Sequence, residues 1–160
     1  MKTACAIFLV LIMASNNLCQ TQEIPIETVI QTGHYAEVTA VAFSPNGHFA
    51  ATGSADKTIK LWEVTTGREI RSYLGHVKGI RTLAFGPDNK YLASIDQDYL
   101  LRIWDIPSSR LIREMEMAGD RFLSVVFHPG GESIITGTDK NHAIEWSIHD
   151  GSEIRRFRPG

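Results

Sequence analysis

Gly53-Ser54-Ala55-Asp56-Lys57-Thr58-Ile59-Lys60-Leu61-Trp62 is the most complete copy of a unit that the chain repeats. Trp62, Trp104 and Trp146 stand 42 residues apart, and Phe43, Phe85, Phe127 and Pro45, Pro87, Pro129 keep the same interval, so nothing is inserted or lost between copies. A constant period of this size marks a repeat architecture, in which each unit buries its apolar faces only by packing on its neighbours.

Working outward from that stretch, short alternating runs bounded by turn residues predict four strands per unit. In the first unit they are Glu37 to Phe43, Phe49 to Thr52, Ile59 to Val64 and Glu69 to Leu74, with Asn46-Gly47 and Thr65-Thr66-Gly67 as turns. Asn-Gly suits a tight turn because glycine accepts positive φ without steric cost and asparagine tolerates it. The second unit repeats the pattern as Ile80 to Phe85, Tyr91 to Ser94, Leu101 to Ile106 and Leu111 to Glu116, and the third as Phe122 to Phe127, Ser133 to Thr136, Ala143 to Ile148 and Glu153 to Phe157. Upstream, Ile26 to Gln31 aligns with the fourth strand of a unit whose other strands are missing.

The 160 residues, 43% hydrophobic and 21% charged, are those of an ordinary globular protein. Sixteen basic and 18 acidic side chains give a formal charge of −2, with no basic stripe for a phosphate backbone, so nucleic acid is not an expected partner. At the N-terminus, Lys2 precedes an apolar run from Ala4 to Ala14 and a polar Ser15-Asn16-Asn17. This reads as a secretory signal peptide over residues 1–19, too short for a membrane span of about 20 apolar residues. It implies a secreted or periplasmic protein. Cys19 offers a rival, lipid anchoring, against which stands Leu18, where such signals carry a small residue. Both cysteines, Cys5 and Cys19, lie in this leader, so no disulfide framework is available downstream.

Gly33-His34, Asp56 and Trp62-Glu63 in one unit, and Gly75-His76, Asp98 and Trp104-Asp105 in the next, resemble the WD-repeat family of β-propellers. The resemblance covers nearly the whole chain after the leader. It implies an all-β fold of three four-stranded antiparallel blades in an incomplete ring: a spacer and orphan closing strand over residues 20–32, then repeats at 33–74, 75–116 and 117–160. In that family a His, a Ser or Thr, an Asp and a Trp form a hydrogen-bonded set in each blade. Carried over position by position, the sets are His34, Thr52, Asp56 and Trp62, then His76, Ser94, Asp98 and Trp104. A Ser/His/Asp trio also suggests a hydrolase triad, but a trio recurring with a Trp in two blades fits a structural device better than a single active site. The third repeat is degenerate, with Ala118 at the histidine position, Lys140 at the aspartate position and Ser147 after Trp146.

The other histidines lack metal-ligand spacing, no phosphate-cradling loop is present, and no nucleophile has its own base. No cofactor, metal or catalytic residue is therefore expected. What remains is surface. In frame, Tyr35 and Lys78 follow the Gly-His pairs and Asp120 lies near the matching place; Lys57, Tyr99 and Asn141 follow the Asp positions, beside Lys140. These seven are the candidate partner-binding rim, since aromatic anchors among mixed charges suit a protein contact. The expectation is an exported, non-enzymatic scaffold for a protein partner. Its rivals are the leading part of a longer enzyme with a catalytic domain beyond Gly160, and, last, a propeller hydrolase or lyase. Three blades cannot close a ring that needs about four to eight, so further blades are expected from a missing segment or from self-assembly.

Overall fold

The computed structural model describes residues 33–158. The expected leader, Cys5, Cys19, the orphan strand and the terminal Pro159-Gly160 lie outside them. Twelve strands form three four-stranded antiparallel sheets, each in simple up-and-down order. Blade 1 comprises β1 (Val38–Phe43), β2 (Phe49–Ser54), β3 (Ile59–Glu63) and β4 (Glu69–Tyr73). Blade 2 comprises β5 (Ile80–Phe85), β6 (Tyr91–Asp96), β7 (Leu101–Asp105) and β8 (Arg110–Met115). Blade 3 comprises β9 (Phe122–Phe127), β10 (Ser133–Thr138), β11 (Ala143–Ser147) and β12 (Glu153–Phe157). No helix occurs among the described residues, so none there is long and apolar enough to cross a membrane.

The exact period reappears as backbone geometry. Turns after the first strand of each blade place Gly47, Asn89 and Gly131 at positive φ, and those after the third place Gly67, Ser109 and Gly151 there. A bulge precedes each Trp, at Leu61/Trp62, Ile103/Trp104 and Glu145/Trp146, which bends the strand and re-aims the indole.

Two apolar cores lie between blades rather than within them. Ala51, Ile59, Leu61 and Tyr73 of blade 1 pack on Ile80, Leu83, Phe85, Leu92 and Trp104 of blade 2. Ala93, Ile95, Leu101 and Ile103 on the other face of blade 2 pack on Phe122, Val125, Ile134 and Ile148 of blade 3. The first approach is close enough that a Cβ on Gly53 would stand 2.4 Å from Ile80 Cγ2. Blade 2 is thus covered on both faces, whereas blades 1 and 3 each keep one face uncovered among the described residues. Val41 is 72% exposed, while its counterparts Leu83 and Val125 are 8% and 4% exposed.

Candidate functional site

At each Trp the strands assemble a polar chain inside the sheet. In blade 1, Trp62 Nε1–H donates to Thr52 Oγ1 (2.8 Å), His34 Nε2 meets that hydroxyl at 2.7 Å, and His34 Nδ1 lies 2.9 Å from Asp56 Oδ2. Burial pushes the Asp56 carboxyl up, but hydrogen bonds from the Thr58 hydroxyl and main chain and from His34 outweigh it and hold the group at about 2.

Blade 2 corrects one expected residue. Asp96, not Asp98, faces His76 Nδ1, with Oδ2 at 2.9 Å, and it is fully buried. The reason lies in the turn. In blade 1 the work is divided: Ser54 Oγ accepts the Asp56 N–H, and Asp56 holds the histidine. In blade 2, Asp96 stands at the Ser54 position and does both, its Oδ1 accepting the N–H groups of Asp98 and Leu100. Asp98 is released to the surface, 3.8 Å from Lys78. Trp104 Nε1–H donates to Ser94 Oγ (2.9 Å), leaving that hydroxyl to donate to His76 Nε2 (2.7 Å), and burial pulls His76 below its usual range despite Asp96. The spacing imitates a catalytic triad, but Ser94 and Asp96 are inaccessible to a substrate.

In blade 3, Ala118 is exposed and Lys140 points to solvent, and the polar chain shrinks to Trp146 Nε1–H donating to Thr136 Oγ1 at 2.9 Å. Thr138 keeps the turn-capping role of Ser54, accepting the Lys140 N–H.

The seven rim candidates lie on turns and links at one end of the blades. Tyr35, 77% exposed, donates its N–H to Asp56 Oδ2 and its hydroxyl to the Asp56 carbonyl, each at 3.2 Å. Asp120 is less free than expected, since its Oδ2 lies 3.7 Å from both His142 Nδ1 and Arg156 Nη1. Lys57, Tyr99 and Asn141 occupy one turn position at φ of 73°, 66° and 60°. Two of these are bulky residues in a conformation that disfavours a Cβ. Two arginines that the sequence did not single out lie against the Tyr99 ring: the guanidinium carbon of Arg81 is 5.5 Å and that of Arg121 5.0 Å from its centroid. Arg81 comes from β5 and Arg121 from the link before β9, so the stack bridges blades 2 and 3. Frame analysis misses both, because their counterparts are Thr39 and Leu123, and Glu37 and Gly79. Among the described residues no three His, Cys, Asp or Glu side chains converge as a metal centre would need.

The family model for the WD domain, G-beta repeat, matches residues 26–63 and 67–105. Ribosome biogenesis protein BOP1 homologs of Drosophila virilis and Drosophila melanogaster are 45% and 43% identical over 47 residues, 29% of this chain. The chain spans 6% of the length of those relatives. Among solved structures, U3-55K and the WD40 repeats of RRP9 superpose with a TM-score of 0.72 at 22% identity, covering 80% of this chain and 41% and 40% of theirs. The relatives overturn the expected secreted or periplasmic location: proteins named for ribosome biogenesis serve an assembly made inside the cell. The leader that suggested export lies outside the described residues. With the matched repeats, the shared fold and three four-stranded blades, the chain belongs to the WD-repeat family of β-propellers.

Proposed function

We propose that the chain is an interaction platform without catalysis of its own, which holds a protein partner on the rim around Tyr99. The observation that carries this reading is the Arg81–Tyr99–Arg121 cluster: an aromatic ring on a residue in a costly backbone conformation, with two guanidiniums 5.5 and 5.0 Å from its centroid. Strain retained at a surface turn points to a use for that side chain, and Tyr and Arg are the residue types that carry most binding energy in protein contacts. Lys57, Lys78, Lys140 and Asn141, with Tyr35, extend the surface around it. Burial of the Ser94–His76–Asp96 chain supports the non-catalytic part, since a nucleophile must reach its substrate.

The names of the matched relatives make an assembling protein–RNA particle the first source in which to seek the partner. The test compares proteins retained by the tagged chain with those retained by Tyr99→Asn, which keeps a residue the same turn accepts at Asn141, and by Arg121→Ala. A partner held by the wild type and lost in both variants is the expected result, and digestion with ribonuclease distinguishes a protein held directly from one held through RNA. Retention of the same proteins by both variants removes the rim from the function.

A further inference from the structure

The two joints between blades are held unequally by their outer strands. At the first, Arg71 of β4 reaches across to blade 2, donating from Nη1 to the carbonyls of Ile106 (2.6 Å) and Pro107 and to Ser109 Oγ (3.0 Å). Tyr73 is buried there against Trp104, with ring centroids 5.6 Å apart. At the second, Arg113 of β8 stands one period later, donates from Nη2 to the carbonyl of His149 in blade 3 and leaves its Nε buried without a partner among the described residues. Met115 takes the place of Tyr73 in this joint, and Met117 the place of Gly75. Both methionines pack, half-buried, against the apolar core between blades 2 and 3.

These two thioethers are the only sulfur atoms among the described residues, since Cys5, Cys19, Met1 and Met13 lie outside them. Oxidisable sulfur there is confined to the joint whose arginine makes fewer hydrogen bonds. Met117 also faces outward, lining with Tyr99, Gly119 and Arg121 an open cavity of about 450 Å³. That is far larger than the roughly 30 Å³ a water molecule occupies, so a small peroxide reaches the side chain. The link that walls the cavity is itself open to solvent at Ala118 and Gly119.

We propose that Met117 is a reversible oxidation site through which a peroxide loosens the joint between blades 2 and 3 and, with it, the rim around Tyr99. A sulfur lone pair attacks one oxygen of hydrogen peroxide and the O–O bond breaks. The proton on the transferred oxygen passes to the departing hydroxide, so one sulfoxide and one water form; sulfur loses two electrons and the peroxide gains them. A methionine sulfoxide reductase, drawing two electrons from a dithiol, removes the oxygen again as water. The sulfoxide is a polar group on a side chain that packs against the core, and its oxygen accepts hydrogen bonds. The Arg121 guanidinium in the same cavity is a donor at hand. Turning to the sulfoxide takes Arg121 from the Tyr99 ring, 5.0 Å away, and disturbs the entry to β9. The consequence for a partner rests on the rim reading above; the consequence for the joint does not.

Timed exposure of the full chain to dilute hydrogen peroxide, followed by peptide mass mapping, tests this. Met117 is expected to gain oxygen about tenfold faster than Met115, which does not line the cavity. The oxidised wild type should show a lower urea midpoint and faster tryptic cleavage after Arg121, and both should return on treatment with methionine sulfoxide reductase. Met117→Leu, which nearly conserves side-chain volume, should keep its midpoint and cleavage rate under the same peroxide, whereas Met115→Leu should respond as the wild type does. Oxidation of Met117 no faster than that of Met115 overturns the proposal. So does a midpoint that stays unchanged once Met117 carries oxygen, or one that falls as far in Met117→Leu as in the wild type. None of these readings involves a partner, so their failure is distinct from retention of the same proteins by Tyr99→Asn and Arg121→Ala, which removes the rim from the function.

Discussion

Asp96 performs in one carboxylate what blade 1 divides between two residues: Oδ2 faces His76 while Oδ1 caps the turn. An asparagine here keeps one acceptor oxygen but sets an NH2 donor against either the His76 Nδ1–H or the main-chain N–H groups of Asp98 and Leu100. Asp96→Asn should therefore cost about 2–4 kcal/mol, whereas Asp98→Asn, which touches only a loose surface pair, should stay within about 0.5 kcal/mol; urea unfolding of both variants checks the contrast. The histidine adds a pH signature. Burial holds His76 below its ordinary value of 6.5, so as pH falls through that value the unfolded chain takes up a proton that the folded blade refuses, and stability drops toward the folded value and is restored above it. His76→Gln should remove that component from urea midpoints measured on either side of 6.5. Asp56 has the acid limb: its contribution is present above 3.8 and is lost as pH falls from there to about 2. The sequence made all these residues visible but not their pairing. Strict frame pointed to Asp98, since a constant interval fixes where the backbone goes and not which of two nearby carboxylates turns inward.

Strands and turns were legible because each is determined locally, by alternation and by residues that accept positive φ. The turn at Lys57, Tyr99 and Asn141 is the informative departure, since it needs the same conformation as the Gly47 and Gly67 turns yet has no glycine in any blade. Lys57→Gly should therefore raise stability by about 0.5–1 kcal/mol, read as an increase in the urea midpoint. The close approach at Gly53 predicts the opposite sign. Gly53→Val drives a side chain into Ile80 and should cost about 1–3 kcal/mol, seen as a lower thermal midpoint. The Arg81 and Arg121 contacts to Tyr99 were not legible, because they join residues far apart in frame and depend on how blade 2 meets blade 3.

Across the three blades, packing is unequal although the units are equal in length. Blade 2 carries Leu92, Ala93, Ile95, Leu101 and Ile103 with no exposed surface, and it is sandwiched on both sides. Amide hydrogen exchange should protect β6 and β7 most and the corresponding strands of blades 1 and 3 less, because opening blade 2 breaks two interfaces at once. Comparable protection in all three blades would mean that both open faces are covered in solution. At this scale the leader is readable only as an apolar run of a given length, and it lies outside the described residues, while the location expected from it is contradicted by relatives named for ribosome biogenesis.

The arginine series carries a further consequence, for ancestry. Since Arg71 of β4 donates to the Pro107 carbonyl of blade 2 and Arg113 of β8 to the His149 carbonyl of blade 3, each 36 residues further along, the two joins between neighbouring units are written in the same register. An unequal crossover that removes or adds one whole unit of 42 residues leaves an arginine facing a carbonyl at each internal join, so copy number can drift in the gene without a new interface having to be invented.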